Sequence, residues 1–316
     1  MPIKRKHNVN AGTSIAKKII ANLAGLATRK VIDLSEIRNA KNIAEDLDKT
    51  ILSEEDMSQL DPVHAVYMYG QNKMSVLVEQ LSPLPAVAKL SDACADADEE
   101  YMPSGPPMSP LTQSYFFCWS VFDLCTGSRK ESFGTIIIEI CEALNVDEGL
   151  LTIFRKMQAS RMGFYMHEGK VGRFVQLREL VTGNIVKAMV ASEYTGNPGE
   201  LWLVRVMPDP FDNLPFGYSI VMTTPYVVGK FSKNTYSLLG NEAEWLAFFD
   251  RTLKKTGKSD TCMAYEHLMK YGLTRPYWNE YILESYVYNV KEAIFLAGFP
   301  DIALSRPHSR ESSIFD

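Results

Sequence analysis

The chain has 316 residues, of which 46% are hydrophobic and 22% charged, with a net charge of −5. This is the composition of a soluble globular protein with material for a sizeable core, and the acidic balance argues against wholesale coating of nucleic acid. No apolar run approaches the roughly 18–20 residues that span a bilayer, and Lys17 and Lys18 interrupt the apolar segment 15–26, so no secretory leader is read there.

The five cysteines (Cys94, Cys118, Cys125, Cys141, Cys262) are odd in number and widely spaced, without a Cys-x-x-Cys pair. That usage fits a reduced, cytoplasmic protein with buried thiols. Residues 1–42 hold nine Lys or Arg against two acids. The periodicity predicts a helix over 13–32, with Ile15, Ile19, Leu23 and Leu26 on one stripe and Lys17 and Lys18 away from it. Such a basic face is either solvated or suited to phosphate and anionic surfaces. Ser53 and Asp56 resemble a capping box, and Asp61-Pro62 is a helix start for a segment running to Leu81. Its apolar side carries Val63, Val66, Met74, Leu77, Val78 and Leu81, with His64 beside it. Residues 1–90 thus read as a helical N-terminal region. An acidic, proline-rich linker follows over 91–110 (Asp92, Asp96, Asp98, Glu99 and Glu100, then Pro103, Gly105, Pro106, Pro107 and Pro110).

From 111 to 304 the pattern is that of an α+β domain. Tyr115, Phe116, Trp119 and Phe122 lie on an aromatic helix over 111–125, beside Asp123. Helices are predicted over 132–144 and from an Asp147 cap to about 162. Five short strands follow, near 163–167, 174–181, 185–192, 201–207 and 218–228, making a β unit over 161–228. Alternation puts Trp202, Val204 and Val206 on one face of the fourth strand and Leu201, Leu203, Arg205 and Met207 on the other. In the second strand, Val175, Leu177 and Glu179 oppose Phe174, Gln176 and Arg178. Thr182-Gly183-Asn184 predicts a tight hairpin. Sequential short strands suggest an antiparallel meander that curls into a partly open barrel.

Trp119, Phe122-Asp123, Ser160-Arg161, Tyr165, the run LRELVTG ending at Gly183 and the run LWLVRVMP ending at Pro208 together resemble a loosely defined group of bacterial proteins linked to the SEC-C zinc motif. The resemblance covers residues 111–228. The cysteine-rich C-terminal motif of that group is absent here, so the zinc-dependent interaction it implies is not carried over.

After the β unit, helices are predicted over 242–255, where Trp245, Phe249 and Leu253 share a face, over 260–271, and over 275–297. The last has apolar or aromatic residues around most of its circumference. It suits burial on several sides, a protein partner, or a homo-oligomer formed through that helix. The C-terminal helices together span 241–298, and residues 305–316 read as a mobile tail.

No phosphate loop, Gly-x-Ser-x-Gly elbow or Cys/His cluster is present, and the five histidines lie far apart. Neither a cofactor nor a metal is expected. Arg178, Glu179 and Arg205 are the informative charges, because they interrupt strands. Facing inward, they must be paired. On an open face with Tyr165 and Trp202, they would make a patch for single-stranded nucleic acid or a peptide. Three functions follow from these readings. One is a non-enzymatic binding or regulatory protein holding a protein partner through the β unit or the last helix. A second is a nucleic-acid-associated protein using Lys17 and Lys18. The third is a hydrolase built on His167, Glu168 and Asp123, which requires that the three converge.

Overall fold

A computed structural model describes residues 14–27, 42, 53–101, 115–232, 235–238, 242–271 and 293–294. Its centre is a closed five-stranded barrel built from β1 (Arg161–Val171), β2 (Phe174–Glu179), β3 (Ile185–Val190), β4 (Leu201–Met207) and β5 (Ser219–Val221). The strand order is β1-β2-β3-β5-β4, and β1 closes the ring by pairing with β4. The architecture is the expected α+β class with a small barrel. The connectivity differs from a sequential meander. β5 inserts between β3 and β4 and pairs with β3 in parallel, Met189 opposite Ile220. Strand pairing across an intervening strand leaves no local mark in a sequence, because it depends on contacts far apart along the chain.

Period-two alternation divides the strands as read. Tyr165, Val175, Leu177, Ala188, Val190, Trp202, Val204 and Val221 fill the interior. A fully buried tryptophan removes roughly 150–250 Å² from water, which at ~25 cal/mol/Å² is about 4–6 kcal/mol. The 180–184 turn joins β2 to β3 as expected, with Gly183 at φ 73°. The last predicted strand is broken. β5 ends at Val221, and β6 (Tyr226–Ser232) starts after Pro225, which cannot donate to a ladder. β6 then pairs with β7 (Thr235–Leu238), so strand structure continues beyond the predicted limit at 228. Val227 and Val228 also pair in parallel with β8 (Ala293–Ile294), a strand where the sequence predicted helix. The remainder of the predicted 275–297 helix and the 305–316 tail lie outside the described residues.

Helices among the described residues include α1 (Ile15–Ala27), α2 (Glu54–Ser58), α3 (Pro62–Leu81), α4 (Ala88–Tyr101), α5 (Phe133–Ala143), α6 (Glu148–Ala159), α7 (Glu242–Lys254) and α8 (Thr261–Tyr271). Two of them cover one outer side of the barrel: Phe164, Met166, Leu201 and Leu203 meet Trp245, Phe248 and Phe249 of α7 and Tyr265 and Leu268 of α8. On another outer side, Met207 and Ile220 pack with Tyr67 of α3, Ile136 of α5 and Phe154 of α6. The caps are those read from the sequence. Ser53 accepts from Asp56 N, Asp61 from Val63 N and His64 N, and Asp147 from Leu150 N. Ser132 and Thr135 form a reciprocal box.

Three local expectations change. The helix α1 turns Ala16 and Ile19 inward and leaves Leu23 in solvent. In α3, Tyr67 and Gly70 are buried, whereas Val66, Leu77 and Val78 are only half-buried. The glycine permits a close crossing, since a Cβ there would stand 2.6 Å from Ile153 Cγ2 on α6. The acidic segment from Asp92 is helical to Tyr101 rather than linker. Its alanines favour helix, and Leu90 and Ala97 give it a buried side. The proline-rich stretch at 102–110 lies outside the described residues. The aromatic helix ends in a π turn, Trp119–Asp123, which no sequence period announces.

Candidate functional site

Two of the charges that interrupt the strands, Glu179 and Arg205, are buried links. Arg205 points to the outer side of β4, between the two helical layers, and is 1% exposed. Its guanidinium holds Asp123 with two parallel hydrogen bonds of 2.8 and 2.9 Å. It also donates to Ser160 Oγ (2.9 Å) and to the Ser160 carbonyl (2.7 Å). Burial opposes the charge on Arg205, but Asp123 outweighs it and the guanidinium is held above its usual range. The pair joins the π turn, the end of α6 and β4. It accounts for the pattern of charged residues in apolar segments as architecture.

At one end of the barrel, Arg161 holds Glu179 at 2.6 Å, and Thr182 Oγ1 donates to the same carboxylate. The Arg161 guanidinium lies 4.8 Å over the Tyr265 ring, and Tyr265 Oη accepts from Phe164 N. Burial, then Glu179, raises the Tyr165 hydroxyl well above its ordinary value. Gly163 makes this cluster sterically feasible, because a Cβ there would stand 2.7 Å from the Tyr165 ring and 2.8 Å from Glu179 Oε1.

Toward the other end, the loop 194–199 closes over Trp202. Glu200 accepts from Trp202 Nε1 (2.8 Å), Asn197 Nδ2 (3.0 Å) and the Tyr194 hydroxyl (3.2 Å). His167 stacks edge-on to Trp202, with Nε2 3.0 Å from the Thr195 carbonyl. That carbonyl accepts only, so Nε2 carries the proton. Nδ1 is buried without a hydrogen-bond partner among the described residues.

Four of the predicted site residues, Tyr165, Glu179, Trp202 and Arg205, are therefore buried. An open-face patch made of them is corrected to three interior clusters, because the ring closes and helices cover the outer side of β1 and β4. Arg178 lies outside the barrel and bridges Glu168 (2.6 Å) and Glu242 (2.9 and 3.0 Å). Lys17 and Lys18 are exposed on α1. The hydrolase trio does not assemble. Asp123 is bound to Arg205, Glu168 to Arg178, and His167 to the Thr195 carbonyl. Among the described residues, no group of three or more His, Cys, Asp or Glu is placed to hold a metal, and no helix is long and apolar enough to cross a membrane.

A different surface gathers exposed chemistry. The outward side chains of β2 and β3 include Phe174, Gln176, Ile185 and Lys187, with Lys187 opposite Gln176 and Ile185 opposite Arg178. Val171 pairs with Phe174 at one end. The Phe174 ring lies 4.7 Å from that of Tyr218, which in turn lies 6.3 Å from Phe216. Arg173 and Lys187 each stand 5.1 Å from the Phe174 ring centre. Four large apolar side chains of β1, β3 and the loop before Tyr218 are exposed: Leu214 at 81%, Ile185 at 63%, Val171 at 56% and Phe216 at 40%. Asp61 anchors the surface from beneath. Its side chain is 2% exposed, caps α3, accepts from Tyr218 Oη (2.9 and 3.0 Å) and pairs with Arg173 at 2.6 Å.

Sequence reasoning grouped Phe174 and Gln176 on one face of the strand but neither assigned that face to solvent nor singled them out. The available signal was Leu214-Pro215-Phe216, two large apolar residues in a turn that has no strand or helix to bury them. No protein-family model, no curated protein and no solved structure matches the chain.

Proposed function

We propose that this chain is a non-enzymatic binding protein that holds a protein partner on the outer face of β2 and β3 and the adjoining 209–218 loop. The supporting observation is the run of Val171, Ile185, Leu214 and Phe216 in solvent beside an aromatic pair. Single exposed apolar residues are ordinary, but a contiguous group rimmed by polar side chains marks an interaction surface. Aromatic residues and arginine are enriched in such interfaces. Asp123 and Glu179 are each engaged by an arginine, which supports binding as the use of the fold. A cytoplasmic setting suits the five free cysteines.

The test is a pull-down from the source-cell lysate after nuclease treatment, comparing wild type with a Leu214→Ser/Phe216→Ser double variant. Both substitutions lie at exposed positions, so the fold is kept. The expected result is a protein retained by wild type and lost by the variant. Equal retention by both contradicts the assignment of the face. A second reading, nucleic-acid association, is favoured by the adjacent exposed ammonium groups of Lys17 and Lys18. It requires that bound material disappear with nuclease and that affinity fall steeply with salt.

A further inference from the structure

We propose that the segment seated on this face is acidic: a carboxylate next to an aromatic or aliphatic side chain, received by Arg173 and Lys187 over the Phe174–Tyr218 ledge. This rests on the protein-partner reading and adds the partner's chemistry to it.

The molecule as a whole is negative, at −5, yet the two ionised groups over this ledge are cations. Of the acids near it, Asp209 accepts from the Phe211 and Gly217 N–H groups and Asp212 pairs with Lys156, while Asp61 is withdrawn from solvent. Its carboxylate is occupied by two backbone N–H groups, the Tyr218 hydroxyl and one nitrogen of Arg173. Arg173 and Lys187 are then the charged groups directed over the Phe174 ring. The Arg173 side chain is 61% exposed. Asp61 fixes one edge of its guanidinium, and the guanidinium lies 5.1 Å from the Phe174 ring centre and 6.0 Å from that of Tyr218. Among the described residues, its other N–H donors meet no acceptor. Lys187 likewise has no carboxylate partner among them, and its ammonium group is held near the same ring. A planar guanidinium fixed in this way is preorganised for a carboxylate, so little side-chain entropy is lost on binding.

The same geometry disfavours a nucleic-acid strand. The Phe174 ring already has two cations and the Tyr218 ring against it, so it is not free to stack a base. Two cations also neutralise few phosphates. Val171 and Phe216 instead offer apolar contact beside the charges, as a carboxylate flanked by an apolar side chain requires.

A random-peptide phage library selected on the full chain, with counter-selection on a Lys187→Glu variant, tests this directly. Lys187 is exposed, and thermal unfolding checks that the variant folds. The account expects enriched peptides with Asp or Glu beside Phe, Tyr, Trp or Leu. A synthetic consensus peptide should bind wild type roughly tenfold more tightly than Lys187→Glu, with affinity falling as salt rises. Neutral or basic apolar peptides that lose binding with Phe216→Ser but not with Lys187→Glu overturn the acidic partner and leave the docking face standing. Acidic peptides bound equally by wild type and Lys187→Glu overturn the assigned cations. A selection without enrichment overturns both the acidic chemistry and the protein-partner reading. So does oligothymidylate binding that is weakened by Lys187→Glu.

Discussion

Arg205 shows how a single charged side chain can look functional and be structural. Its two hydrogen bonds to Asp123, with side chains 1% and 3% exposed, hold two ions out of water. Removing one ion leaves the other buried and unpaired, which costs far more than the pair contributes. Arg205→Met should therefore lower stability in urea denaturation by about 3–5 kcal/mol. The double variant Arg205→Met/Asp123→Leu should recover most of that loss. A double variant as unstable as the single would contradict this reading. The alternation of β4 made it legible that Arg205 and Trp202 lie on opposite faces. It was not legible that both faces are buried, because the sequence does not announce that the strand belongs to a closed ring with helices outside.

At the scale of elements, the sequence is readable wherever a segment's own chemistry fixes its limits. The Asp61 and Asp147 caps, the Gly183 turn and the apolar face of α7 are local facts, and each is found as read. The readings that changed depend on distant partners. The acidic segment becomes α4 because Leu90 and Ala97 find a core to enter. β5 stands beside β3 because the ring needs a strand there. The 194–199 loop has the same dependence and gives a prediction. Gly196 has φ 53°, and a Cβ there would meet the Trp202 ring and, at 2.5 Å, Glu200 Oε2. Gly199 also has a positive φ, 89°, but open space around it. Gly196→Ala should lose more stability than Gly199→Ala, by about 1–3 kcal/mol, because it adds overpacking to the same kind of backbone strain. Equal losses in chemical denaturation would show that the loop does not press on Trp202.

For the molecule as a whole, the division among the described residues is between a closed interior and an outer strip on β2, β3 and the 209–218 loop. α7 and α8 cover one side of the barrel, and α3, α5 and α6 cover another. The β2–β3 side keeps Ile185 and Lys187 in solvent, and the 209–218 loop adds Leu214 and Phe216. The sequence held those residues in view but did not distinguish them, since an exposed leucine acquires meaning only from its neighbours in space. The measurement that tests this division most directly is site-specific photo-crosslinking in the source cells, with the photoreactive side chain at Leu214, at Ile185 or, on α1, at Lys17. The account predicts the same covalent protein adduct from Leu214 and Ile185, insensitive to nuclease, and none from Lys17. Adducts from Lys17 alone, or adducts to nucleic acid from any of the three positions, would contradict it.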